Sequence, residues 1–188
     1  METSQTAKTG VFIVLAILAC GIFPVVVIAE EDIAEADFQR IGSMYGVSPY
    51  LLLAISIIES QGGTLLGTNE VRKVVDKKQL KYLQKIANRT KRNISEFKGS
   101  PAGAMGYMQI VPSTFYTYAQ DGNGDGVKDP LTPLDSLATA AYYLARTIAV
   151  KGNLRSAIRT YNNSDIYCAE VLKLSQDLEL NSTFAARQ

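Results

Sequence analysis

The chain of 188 residues contains no histidine and no tryptophan, and only two cysteines. Without histidine there is no Ser-His-Asp triad, no Cys-His dyad and no imidazole-ligated zinc or haem. Two cysteines exclude four-cysteine zinc and iron-sulfur sites, as well as a disulfide scaffold. Charge of either sign is not in excess: 19 Lys+Arg against 18 Asp+Glu give a net charge of +1, which argues against wholesale nucleic-acid binding. What remains is chemistry carried by carboxylates, hydroxyls, amides or hard metal ions. A hydrophobic fraction of 47% is ample for one core in one domain of ordinary size.

From Gly10 to Ala29 the chain reads GVFIVLAILACGIFPVVVIA, twenty residues without a charge. As a helix this run is about 30 Å long, enough to cross a bilayer. Lys8 precedes it, whereas Glu30, Glu31, Asp32, Glu35 and Asp37 follow, so the charge asymmetry directs the remainder of the chain outward. Two fates are open for residues 1–29. They form a signal peptide cleaved after Val27-Ile28-Ala29, or a retained transmembrane anchor; lipidation at Cys20 is a third, less favoured route. On either main reading residues 30–188 are exported to the cell envelope, on the periplasmic or extracytoplasmic face. Cys168 is expected to be a small core residue.

Residues 30–188 carry helical periodicity and no convincing period of two, which predicts an all-α domain. The expected helices are 31–45, 49–61, 70–92, 112–119, 136–151, 153–161 and 165–178, with breaks at Gly46, Gly62-Gly63, Lys98–Gly106, the 121–134 loop and Gly152. Residues 64–98 concentrate ten Lys/Arg against three Asp/Glu. They form either a solvated helix face or a basic wall toward an anionic polymer.

Ser48-Pro49 predicts a helix start, a hydroxyl N-cap followed by proline at the first helical position. The helix that follows, YLLLAISIIES, is apolar around nearly its whole circumference and belongs inside a bundle. Glu59 then lies in its last turn, where desolvation and the negative end of the helix dipole both disfavour the carboxylate. An acid that holds its proton near neutral pH is what glycoside cleavage requires. The alternative is a glutamate turned to solvent at a fraying end.

Four short segments occur in order: Glu59-Ser60 with Gly62-Gly63; Ser100-Pro101-Ala102-Gly103-Ala104-Met105-Gly106-Tyr107-Met108-Gln109; Pro112-Ser113-Thr114-Phe115; and Ala157-Ile158-Arg159-Thr160-Tyr161-Asn162. Together, over residues 40–170, they resemble the lytic transglycosylases of bacterial cell walls, most closely the membrane-bound type B. The resemblance implies a lysozyme-like helical fold and peptidoglycan glycan strands as substrate. Cleavage would fall between N-acetylmuramic acid and N-acetylglucosamine and leave a 1,6-anhydro end. It implies Glu59 as the single catalytic acid, later the base that takes the proton of the muramyl 6-hydroxyl. Ser100, Gln109, Tyr143, Tyr161 and Asn162 would bind substrate, and Gly103 and Gly106 would let the backbone approach the glycan. No nucleic acid is implied. Rival readings are a muramidase that adds water and a non-catalytic wall-binding component of an envelope-spanning secretion or conjugation machine.

The run Asp121-Gly122-Asn123-Gly124-Asp125-Gly126-Val127-Lys128-Asp129 has oxygen donors at positions 1, 3, 5 and 9 and glycine at 6, the front half of an EF-hand loop. Position 12 is Thr132 rather than glutamate. The resembled family closes a longer loop with an aspartate at position 15, here Asp135. That implies a structural Ca²⁺ held by Asp121, Asn123, Asp125, the Val127 carbonyl and Asp135. A metal-free turn, with Asp135 as N-cap of the 136–151 helix, is the other reading.

Overall fold

The computed structural model describes residues 33–185. The signal or anchor segment and Cys20 lie outside the described residues. Eight α-helices are present among them: α1 (Glu35–Tyr45), α2 (Pro49–Ser60), α3 (Val71–Val74), α4 (Lys77–Thr90), α5 (Pro112–Tyr118), α6 (Pro133–Lys151), α7 (Leu154–Tyr161) and α8 (Asp165–Ala185). The expected all-α class holds, with one addition. Asn69–Glu70 (β1) pairs antiparallel with Lys98–Gly99 (β2). Two-residue strands are too short to show a period of two in sequence.

α2 is the central element, packed against α8, α1 and α6. Leu51, Leu52, Ala54 and Ile55 are buried on it, each large side chain contributing roughly 1.5–3 kcal/mol of transfer free energy. Pro49 starts the helix as expected, but the Ser48 hydroxyl makes no capping bond; Ser48 accepts from Leu51 N and Leu52 N through its carbonyl instead. The helix stops one residue before the glycines. Gln61 already adopts a left-handed conformation (φ 51°); its N–H donates to the Ile57 carbonyl and the Gly62 N–H to the Ser56 carbonyl.

The expected 70–92 helix is two helices. Val75 is extended and the Asp76 carboxylate accepts from Gln79 N (2.8 Å), so a new N-terminus begins where apolar periodicity alone runs on. The 136–151 helix begins earlier, at Pro133 with Thr132 at its N-cap position. Asp135 therefore sits inside the first turn, fully buried, and is not the N-cap. The last helix continues to Ala185, seven residues beyond the expected 178. Cys168 is fully buried, as its core reading requires. Among the described residues no single helix is long and apolar enough to cross a membrane.

Candidate active site

Glu59 is half-buried in the last turn of α2. Burial pushes its carboxyl pKa up, and a hydrogen bond from Tyr167, on α8, partly offsets that rise. The phenol Oη donates to Glu59 Oε1 at 2.7 Å. Burial and the neighbouring Glu59 charge raise Tyr167 itself far above the usual phenol range, so it stays a donor. Burial first, and then the Glu59 charge, raise Tyr161, at the end of α7, well above its ordinary value. No second carboxylate bears on Glu59 among the described residues.

The segment 98–110 folds back through bridges between Gly99 and Met105 and between Met105 and Ile110. Its end is pinned at three consecutive residues. Ser60 Oγ donates to the Tyr107 carbonyl (2.7 Å), Tyr161 Oη donates to the Met108 carbonyl, and Gln109 Nε2 donates to the Leu66 (3.2 Å) and Gly106 (2.9 Å) carbonyls. Ser60 Oγ also accepts from Gly63 N (2.9 Å), fixing the turn after α2. Thus the residue beside Glu59, the Tyr161 ring and the Gln109 segment are held in one hydrogen-bonded frame. Gln109 is 9% exposed at φ 47°, and no hydrogen bond engages its amide oxygen among the described residues.

Ser100 is half-buried and its Oγ accepts from Ala104 N (3.1 Å), so the hydroxyl holds the turn over 100–104. Tyr143 Oη donates to the Thr160 carbonyl (3.2 Å), and its ring lies 5.9 Å from Tyr161 and 4.9 Å edge-on from Tyr118. These three tyrosines form one aromatic cluster, and of them Tyr161 feels the Glu59 charge. Asn162 is the exposed C-cap of α7, and no hydrogen bond joins its amide to Glu59 among the described residues. Gly103 and Gly106 serve the chain's own packing. At φ +79° and +72°, a Cβ would lie 2.1 Å from Val75 Cγ1 and 1.9 Å from the Pro130 carbonyl oxygen respectively. The space a side chain would need at either position is filled by protein.

Sequence reading missed Tyr167 and the structural work of Ser60. Tyr167 lies 108 residues from Glu59, and its one local signal is its place in the first turn of a helix after the Tyr-Asn pair.

In the 121–135 loop Asp121 accepts from Gly124 N and Gly126 N, Asn123 from Asp125 N, and Asp125 from Val127 N. Asp135 takes Gly122 N (2.7 Å) and Asp129 N (2.8 Å), one on each oxygen. Its pKa is pushed up to about 6, chiefly by burial, with the Asp121 charge adding to the rise. Asp129 is committed elsewhere, paired with Arg92 and accepting from Leu131 N. No three acidic, thiol or imidazole side chains converge as a metal cluster among the described residues. The donor set is nonetheless all oxygen, and a buried carboxylate beside a second one suits a hard cation.

The family model for the transglycosylase SLT domain matches residues 31–152. The membrane-bound lytic murein transglycosylase B of Escherichia coli (strain K12) is 28% identical over 132 residues, 63% of this chain; the chain spans only 37% of that relative's length. In fold, the chain resembles E. coli lytic transglycosylase SLT35 in complex with calcium, with TM-score 0.69, 20% identity, and coverage of 78% of this chain and 71% of that one. It also resembles SltB3 from Pseudomonas aeruginosa in complex with NAG-anhNAM-pentapeptide, with TM-score 0.67, 22% identity, and coverage of 76% and 60%. The half-buried glutamate, its tyrosine partners and the pinned segment 107–109 thus occur in a lysozyme-like helical frame, and the chain belongs to the transglycosylase SLT domain family.

Proposed function

We propose that this chain is a lytic transglycosylase that cleaves the β-1,4 bond between N-acetylmuramic acid and N-acetylglucosamine in peptidoglycan. The reading rests chiefly on Glu59, a carboxyl held half-buried with a raised pKa and no second carboxylate bearing on it. Glu59 protonates the glycosidic oxygen as the C1–O bond breaks. The carboxylate so formed, stabilised by the Tyr167 hydroxyl, then takes the proton of the muramyl 6-hydroxyl as O6 bonds to C1. The products are a free 4-hydroxyl on N-acetylglucosamine and a 1,6-anhydromuramyl end, and water is not consumed. A hydrolase would call for a second carboxylate to position water or act as nucleophile. Gln109 Oε1, Tyr143, Tyr161, Ser100 and Asn162 are the candidate sugar contacts, hydrogen-bonding hydroxyls and stacking on apolar ring faces.

Asp121, Asn123, Asp125, the Val127 carbonyl and Asp135 are the residues that would hold Ca²⁺. Bound there, it would neutralise the Asp121–Asp135 pair and stiffen the loop, with no part in the chemistry. Residues 10–29 would deliver the domain across a membrane, as removed signal or retained anchor. Work within a secretion or conjugation machine suits the same placement.

Digestion of purified sacculi with the wild type and Glu59→Gln, followed by mass spectrometry, tests the proposal. Muropeptides one water lighter than hydrolytic products are expected from the wild type only. Reducing ends would establish a muramidase, and no soluble release a wall-binding component.

A further inference from the structure

The cations of residues 64–98 divide into two groups in the fold. Arg72, Lys73 and Lys98 surround Glu70 at 2.7, 2.7 and 3.9 Å, and the Lys73 and Arg72 hydrogen bonds hold its carboxyl down at about 2. Arg92 pairs with Asp129 and Glu96. α4 is different. Its sequence KKQLKYLQKIANRT holds five cations and no acid, and none of the five forms an ion pair among the described residues. Lys77, Lys81, Lys85 and Arg89 are all exposed and recur every fourth residue, in steps of about 6 Å along the helix.

Two of these cations are held without being neutralised. Arg89 lies 4.1 Å from the centre of the Tyr116 ring and donates to Tyr116 Oη (2.9 Å). Lys85 lies 5.2 Å from the same ring and 5.6 Å from Tyr82. A depression of about 410 Å³ lies against the two middle members of this row, lined by Lys78, Lys81, Tyr82, Gln84, Lys85 and Asn88. A second, of about 360 Å³, takes in Arg89 and Tyr116 and reaches Lys128 on the 121–135 loop. Neither is lined by Glu59 or its partners.

We propose that this face of α4 binds a linear phosphodiester polymer of the polyol-phosphate kind. Three backbone bonds of an extended chain span at most about 3.6 Å, so a six-bond phosphodiester repeat spans about 7 Å, close to the spacing of the cations. Two other polyanions fit less well. A bilayer-binding helix presents apolar side chains beside its cations, whereas Leu83, Ile86 and Ala87 are buried and Leu80 is half-buried. Single-stranded nucleic acid is gripped by stacking on open aromatic faces, and Lys85 and Arg89 already flank the Tyr116 ring. That the polymer is carried on the cell wall rests on the function proposed above; the charge geometry does not.

Titration of the full-length chain in zwitterionic micelles with a synthetic glycerol-phosphate oligomer, over a range of salt, tests this binding. Affinity is expected to fall with salt at a log–log slope of about −3, the release of counterions by roughly four cations. K81E/K85E should weaken binding at least about tenfold and K81Q/K85Q by less, with unchanged melting temperature and unchanged cleavage of polymer-free sacculi. Absence of binding, equal affinity in both variants, tighter binding of an oligonucleotide of equal charge, or displacement by anionic lipid in the micelles would each overturn it. Because the readout is binding, failure here leaves the role of Glu59 standing, and an inactive Glu59 site leaves this result intact.

Discussion

The Tyr167 hydroxyl reaches Glu59 across 108 residues of sequence and donates to its Oε1 at 2.7 Å. Two opposed influences meet in that contact. Burial favours the protonated acid, the phenol favours the carboxylate, and burial prevails. A group that must first give a proton and then receive one needs both forms within reach, and this pair supplies them.

Replacement of Glu59 by glutamine should lower cleavage of sacculi by about two to four orders of magnitude while circular dichroism stays unchanged. It should also alter the pH dependence of stability. With the folded pKa above the ordinary value of 4.5, the native state keeps a proton that the unfolded chain has already lost. Wild-type stability therefore falls as pH rises through that window. Glutamine removes the loss, so the melting temperature of the variant relative to wild type should climb between pH 4 and pH 7. A constant difference would count against a raised pKa.

Tyr167→Phe removes the bond that holds the Glu59 pKa down. The pKa should rise further, moving the alkaline limb of the pH–rate profile to higher pH, while the maximal rate drops because the carboxylate loses its donor. An unmoved limb would mean that Tyr167 only packs.

Ser60→Ala removes a hydroxyl whose single proton goes to the Tyr107 carbonyl (2.7 Å), with the Ser56 carbonyl 3.2 Å away, and which accepts from Gly63 N. Ser60 is 1% exposed, so the groups left behind have no water to turn to. A loss of about 1–3 kcal/mol in chemical denaturation is expected. Activity should fall as well, since the same bond fixes the chain beside Glu59.

Gly106→Ala places a methyl group against the Pro130 carbonyl at a backbone angle that suits glycine. The left-handed conformation alone costs about 1–2 kcal/mol, and relief of the clash adds to it. Urea denaturation should show a destabilisation above about 2 kcal/mol, or no folded protein.

Calcium at 100 times its dissociation constant should stabilise the domain by about 2.7 kcal/mol, read as a raised melting temperature that a chelator reverses. Asp125→Asn should weaken that response without touching the fold, because Asp125 is exposed and bonds only within its own loop. A melt indifferent to both reagents would remove the metal from the proposal.

The sequence by itself determined the helical class, the burial of α2 and the place of Glu59 at its end. Those rest on local quantities: an all-round apolar run, a proline at the first turn, glycines after the last. Family motifs in fixed order extended the reading to Gln109 and Tyr161. Apolar periodicity ran past two local helix starts, the Asp76 cap that breaks 70–92 and the Pro133 start of α6 that buries Asp135, and it missed the β1–β2 pairing, which joins distant segments. Only the tertiary structure decided that Tyr167 faces Glu59, that Ser60 binds the Tyr107 carbonyl, and which of the basic residues stay unpaired. Side chains brought together from distant segments leave no spacing to read, because hydrogen bonds and ion pairs depend on distance in space.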